Sequence, residues 1–160
     1  MQNIVMFVYW NVWGPIFSIL DFFIPKRQDL LIFAAANGDR FGENSGHLFQ
    51  FCLSETKLDV RWCTGNKELC KSLNERFPGK VISGRSLNGM YTFLRAKTVF
   101  ITHGRWDVHY FILTRSKKVI NLWHGMPIKL LGWECPATDH KKWDANIRQT
   151  DLIVVSSNFE

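Results

Sequence analysis

Apolar and polar blocks alternate along this chain with a regular beat. Residues 30–36 form an apolar run bounded by polar residues and read as a first buried strand. A polar, glycine-bearing loop spans 37–46, and Asn44 or Ser45 is placed to cap a helix over 47–55. Residues 59–64 alternate partially and predict a second strand. Asn66 then caps a helix through Phe77, closed by Pro78-Gly79. A short third strand is expected at 80–83, and a helix at 86–96 with Leu87, Met90, Tyr91 and Leu94 as its core stripe. A fourth strand follows at 98–102, then a helix over 106–116 packing through Val108, Phe111 and Ile112. Val119, Ile120 and Leu122 make a fifth strand, Thr138 or Asp139 opens a polar helix to about Gln149, and 152–155 is a sixth strand. Alternating strands and helices with short loops predict an α/β fold: a parallel sheet, helices on both faces, right-handed crossovers.

Residues 4–24 break this beat. They are apolar and aromatic, uncharged until Asp21, and followed at once by Lys26-Arg27. Three readings compete: a segment lying in the membrane interface, a spanning helix, and a buried core helix. Asn11 and the Gly14-Pro15 break weaken a span. No basic n-region or small-residue cleavage site supports a signal peptide. The interface reading is favoured, because aromatic rings settle at the headgroup boundary and Lys-Arg meets anionic lipid.

At 160 residues and 46% hydrophobic content, the chain is long enough for one domain with a real core. The net charge of +6 points to an anionic partner. The doublets Lys26-Arg27, Lys117-Lys118 and Lys141-Lys142 are scattered, as on a solvated face, and no basic run favours nucleic acid. Cys52, Cys63, Cys70 and Cys135 show no C-x-x-C spacing and read as reduced, cytoplasmic thiols. The five histidines are equally dispersed, so no protein-ligated metal is expected.

The chemistry concentrates in residues 119–132. There a strand gives way to a turn through Gly125 and Pro127, placing His124 at a strand's carboxyl end. Ligands bind at such ends in open α/β sheets, and an imidazole can exchange a proton near neutral pH. Gly125 has no side chain to obstruct a substrate, and Lys129 can pair with phosphate. Asn44, at a helix start after the first strand, is a candidate anion contact. His103-Gly104-Arg105, a second His-Gly at a strand end, offers His103 and Arg105 to the same cleft, although a cap or surface role competes. The dinucleotide fingerprint G-x-G-x-x-G is absent, and no cofactor is expected.

The stretch Asn121-Leu-Trp-His-Gly-Met-Pro-Ile-Lys-Leu-Leu-Gly132 resembles the Trp-His-Gly-Thr-Pro-Leu-Lys-Lys-x-Gly signature of the CDP-glycerol glycerophosphotransferase family. Trp123, His124, Gly125, Pro127, Lys129 and Gly132 match, and Met126 replaces the usual Thr. Residues 24–33 with Phe41-Gly-Glu-Asn-Ser45 are similar to the family's first strand and following loop, and 151–160 to the strand after the signature.

The resemblance implies the first Rossmann-like half of a GT-B fold. Residues 1–27 would be a membrane-associating segment, and 28–160 the acceptor-side domain, without the donor-binding domain that holds most of the CDP-glycerol site. It implies His124 as general base toward an acceptor hydroxyl, which attacks the β-phosphate of CDP-glycerol or a related CDP-polyol and expels CMP. Lys129, and more weakly Arg105, would face the developing phosphate charge. The implied acceptor is a polyol-phosphate polymer or lipid-linked primer of teichoic-acid or capsule type, met at the cytoplasmic face of the cell membrane. The chain alone is expected to be inactive. A membrane-attached binding module, or a GT-B glycosyltransferase using a nucleotide sugar, are the other readings.

Overall fold

The computed structural model describes residues 14–108, 116–125, 136, 140–148 and 150–154. Its centre is β1 (Arg27–Phe33). Leu30, Ile32 and Ala34 enter one buried cluster, while Phe33, Ala35 and Ala36 enter another. Successive strand residues point to opposite faces, so an unbroken apolar run means both faces are covered.

The remaining elements, in chain order, are α1 (Gly14–Phe23), α2 (Glu43–Glu55), β2 (Asp59–Thr64), α3 (Lys67–Arg76), β3 (Val81–Ser83), α4 (Leu87–Arg95), β4 (Ala96–Ile101), β5 (Lys118–Asn121), α5 (His140–Ile147) and β6 (Leu152–Ile153), with α1 preceding β1. The six strands form one sheet in the order β3-β2-β1-β4-β5-β6, and every pairing is parallel. This is the doubly wound order, in which direction reverses beside β1. Loops after β1 and β4 therefore diverge and open a crevice at the carboxyl end.

On one face, α1 and α4 supply Phe17, Phe93 and Leu94 to the core. On the other, α2 and α3 supply Phe49, Cys52 and Leu73 around Trp62. Trp62 meets Phe41 with ring centroids 4.6 Å apart and Phe49 at 5.7 Å. Burying each such side chain contributes about 1.5–3 kcal/mol. Asn66 accepts from the Glu68 and Leu69 amides and Ser86 from the Gly89 amide, so α3 and α4 start at the caps the sequence marks.

Several local expectations need correction. Helix α2 starts at Glu43, before residue 47, with Gly42 at its cap, so neither Asn44 nor Ser45 caps it. Helix α4 is rotated from the expected stripe, of which Leu94 is buried and Met90 packs against the core while the other two face out. Leu87 and Tyr91 are exposed, and the inward face is Gly89, Phe93 and Leu94. The cause is the approach of Gly89 to β3, where a Cβ would lie 1.9 Å from the Ser83 carbonyl oxygen. After β4 the chain makes a short 3₁₀ turn at Arg105–Asp107; most of the helix expected over 106–116 lies outside the described residues.

Lys117 and the Lys26-Arg27 doublet are not on a solvated face, whereas Lys118 is exposed as expected. The Lys117 side chain is fully buried, and its ammonium lies 2.9 Å from Asp21 Oδ1. Lys26 also pairs with Asp21, at 2.7 Å, and donates to the Leu94 carbonyl. Ser116 donates its hydroxyl to the same carboxylate. Arg27 pairs with Asp29 and Asp59. One long-range ion pair, Lys117–Asp21, together with the Ser116 hydroxyl thus fixes α1 to the amino end of the sheet. The Lys26-Arg27 pair expected to meet lipid headgroups is engaged by protein carboxylates instead. The outer side of α1 exposes Ile19, Phe22 and Phe23. Among the described residues no helix is long and apolar enough to cross a membrane.

Candidate active site

The carboxyl end of the sheet gathers the candidate residues because β4 and β5 are neighbours. His103 follows β4 and His124 follows β5, and their rings stack with centroids 4.1 Å apart at 29°. Trp123 lies 4.8 Å from the His124 ring. The two His-Gly strand ends therefore form one imidazole pair.

Both loops are held from below and from the side. The Trp123 amide donates to Asn121 Oδ1 at 2.9 Å. Asn44 Nδ2 donates to the Leu122 carbonyl at 2.9 Å and the Trp123 carbonyl at 3.2 Å. Asn44, expected as an anion contact, is thus a clamp from α2 onto the His124 loop. This clamp also explains the early start of α2, since it draws the first turn toward β5. Among the described residues, His124 itself is exposed and neither ring nitrogen has a hydrogen-bond partner, so both can meet a substrate.

His103 is oriented by residues the sequence reading did not single out. Thr102 Oγ1 lies 3.0 Å from His103 Nδ1 and donates to Glu43 Oε2 at 2.7 Å. Glu43 Oε2 is itself 3.5 Å from His103 Nδ1. Buried Asp107 accepts the Thr102 and His103 amides at 2.6 and 2.8 Å through Oδ2, and the Asn37 amide at 2.7 Å through Oδ1. One carboxylate therefore ties the loop after β1 to the loop after β4. The available signals were Glu43 inside Phe41-Gly-Glu-Asn-Ser45, and Asp107 four residues after His103.

This end also stores strain. Among the described residues, the non-glycine positions at positive φ are Ala36, Asn37, Glu43 and Trp123, all in loops after β1 and β5 or at the start of α2. Each left-handed residue costs roughly 1–2 kcal/mol, and such strain persists where the surroundings over-determine it. At Gly125 the φ of +148° demands glycine, and a Cβ there would point into open space. The backbone conformation alone therefore favours glycine here. The Arg105 guanidinium sits 5.3 Å over the Trp106 ring. Lys129 lies outside the described residues. Among the described residues no cluster of three or more His, Cys, Asp or Glu could hold a metal.

A parallel sheet in this doubly wound order defines a Rossmann-like domain. More particularly, the chain belongs to the CDP-glycerol:poly(glycerophosphate) glycerophosphotransferase family, whose model matches residues 16–160. Solved structures agree on the fold. A variant of the wall teichoic acid polymerase TagF superposes with a TM-score of 0.69 at 14% identity, over 99% of this chain and 39% of that one. Unmodified TagF gives 0.63 at 12% identity, over 99% and 40%. A CDPG-soaked TagF variant gives 0.64 at 11% identity, over 99% and 41%. The chain thus spans about two fifths of the length of the solved structures it matches. No curated protein sequence is significantly similar to it.

Proposed function

We propose that this chain is the acceptor-side domain of a polyol-phosphate transferase, with residues 28–160 as that domain and 1–27 as a membrane-associating segment. The observation that carries the reading is exposed His124, stacked on an anchored His103 at the sheet's reversal point. His124 removes the proton from an acceptor hydroxyl, and the resulting oxygen attacks the β-phosphate of CDP-glycerol or a similar CDP-polyol. The phosphoanhydride bond breaks and CMP leaves. Glu43 and Thr102 hold His103, which holds the face of His124. General-base assistance of this kind is worth about 10²–10⁴-fold. Lys129, and more weakly Arg105, are the candidates for the charge developing on phosphate.

The donor is held by a second Rossmann-like domain. The family's signature and the two-fifths coverage of TagF support that division. The exposed Ile19, Phe22 and Phe23 of α1 support placement on the cytoplasmic membrane surface beside a lipid-linked or polymeric teichoic-acid or capsule-type acceptor.

The test is CMP release from CDP-glycerol with a glycerol-phosphate-primed acceptor. The 160-residue chain alone should release none, and adding a donor-side domain from the family should restore release. His124→Ala should then lower the rate about 10²–10⁴-fold without changing the melting temperature. Release by the chain alone, or full activity of His124→Ala, would overturn the reading.

A further inference from the structure

A cavity of about 480 Å³ opens at the amino end of the sheet, the opposite end from the histidine pair. The starts of β1, β2 and β3 form one wall, which carries Arg27, Asp59 and Arg61. Helix α4 forms the other, which carries Tyr91 and Arg95. Three arginines thus line the cavity against one carboxylate. Asp29 stands at its margin on Arg27, and Lys80 on Asp59. Counting these two, the cluster sets Arg27, Arg61, Lys80 and Arg95 against Asp29 and Asp59, an excess of two positive charges.

The carboxylates fix the strand wall without exhausting its donors. A guanidinium has five N–H groups. Arg27 uses three on Asp29 and Asp59, and Arg61 uses three on Asp59 and the Gly79 carbonyl. Both side chains are half-buried and still reach the cavity. Arg95 makes no direct ion pair among the described residues. Its guanidinium lies 5.6 Å from the centre of the Tyr91 ring, and its charge acts on Asp29 at longer range. Guanidinium forks presented in this way match the oxygens of a phosphate group.

The rim decides which kind of phosphate fits. Leu87, one turn before Tyr91 on α4, is 86% exposed. Helix α1 ends in Phe22 and Phe23, 83% and 74% exposed, four and five residues before Arg27. Lys26 joins the two helices by donating to the carbonyl of Leu94, the neighbour of Arg95. Exposed apolar side chains from two helices therefore share this end of the molecule with the cavity. A phosphate free in water gains nothing from an apolar rim. A bilayer surface offers both partners: an acyl boundary for Leu and Phe, and anionic headgroups above it. Tyrosine rings settle at the level between them.

We propose that this cavity binds the headgroup phosphate of an anionic phospholipid, with Phe22, Phe23 and Leu87 entering the acyl boundary beside it. Arg95 takes the phosphate, and Arg27 and Arg61 form the wall behind it. The site rests on the membrane placement proposed above and names the lipid chemistry that this placement selects.

Co-sedimentation of the 160-residue chain with vesicles tests this. The probes are phosphatidylcholine alone and phosphatidylcholine containing phosphatidylglycerol. The mixed vesicles should bind the chain more tightly than the neutral ones. Arg95→Gln should weaken binding to mixed vesicles about fivefold and leave binding to neutral ones unchanged. It breaks no ion pair, so the melting temperature should hold. Lys67→Gln removes the same charge from an exposed position at the carboxyl end and should change neither. Phe22→Ser/Phe23→Ser should lower binding to both. Wild-type binding by Arg95→Gln, or an equal loss in Lys67→Gln, would overturn the headgroup site while leaving the membrane placement standing. So would calorimetric binding of inorganic phosphate that Arg95→Gln abolishes without any change in vesicle binding, which would make the cavity a site for free anions. Failure to bind any vesicle would overturn the membrane placement and the headgroup site together. None of these outcomes touches the dependence of CMP release on His124, so the transferase reading fails separately.

Discussion

The two ends of this sheet solve the same problem in opposite ways. Each gathers buried charge between loops. At the amino end, Asp21 is 2% exposed and is closed on by Lys26, Lys117 and Ser116. At the carboxyl end, Asp107 is equally buried, but three of its bonds are to backbone amides and one is to the Thr102 hydroxyl, and the network leads outward through Thr102, His103 and Glu43 to exposed His124. The first network consumes its side-chain charges; the second consumes backbone donors and leaves side chains presentable. The non-glycine residues at positive φ, among those described, are all at the carboxyl end. A closed charge cluster fixes a fold, whereas an open one with stored strain prepares a site.

The largest effect expected from breaking this contrast is at the amino end. Asp21→Ala leaves the buried Lys117 ammonium without its carboxylate. Removing one partner of a buried pair destabilises by about 3–5 kcal/mol, which urea denaturation would register as a lower midpoint. With a donor-side domain present, the protein that remains folded should retain its CMP release, because the histidine pair lies at the other end. If Asp21→Ala instead changed CMP release while leaving stability intact, the division between the two ends would be wrong.

Next is Glu43, at the carboxyl end. Glu43→Gln keeps the length of the side chain but weakens the hold on Thr102 and His103. Misplacing a catalytic group can reduce rate by up to about 10²-fold. With a donor-side domain present, CMP release should fall toward that limit, with the melting temperature unchanged and KM for CDP-glycerol little affected. A fall in stability matching the fall in rate would make Glu43 a structural residue and place this end in the same class as the other.

How far each end was legible in the sequence follows from the range of the interactions involved. The strand-helix beat is local, and so are the caps: Asn66 and Ser86 reach amides only two or three residues on. His103 and His124 were each visible as a His-Gly at a strand end, and their stacking follows once β4 and β5 are neighbours. The Lys117-Asp21 contact spans 96 positions and left no local trace, so the doublet read as surface. The early start of α2 was hidden for the same reason. It depends on Glu43 taking φ +56° while Asn44 reaches the loop after β5, 78 positions away. The rotation of α4 depends on a glycine meeting a backbone carbonyl, which a hydrophobic pattern cannot encode. Ionisable residues were legible as candidates but not as partners, because pairing is set by sheet order.

The smallest expected effect weighs the two ends against each other through pH. Burial lowers the Lys117 ammonium from 10.5 to about 8 despite the opposing pull of Asp21. As pH rises past 8 the folded state releases this proton while the unfolded chain keeps it until 10.5, so the unfolded state binds more protons and stability increases with pH. Cys63, buried near the carboxyl end of β2, acts in the other direction. Burial raises its thiol from 9.0 to about 12, so above pH 9 the unfolded chain ionises first and stability is lost. Cys52, also raised by burial, adds to that loss. Stability should therefore climb by about 1 kcal/mol between pH 8 and 9, level off as the thiols oppose the lysine, and fall above 10.5. Urea midpoints measured across pH 7.5–11 would trace this. Lys117→Met should remove the climb and leave the fall, whereas Cys63→Ala should carry the climb further toward 10.5. A wild-type profile flat from 8 to 9 would mean that Asp21 holds the Lys117 proton as firmly as water does, and that the amino end stabilises the fold without the desolvation penalty its burial implies.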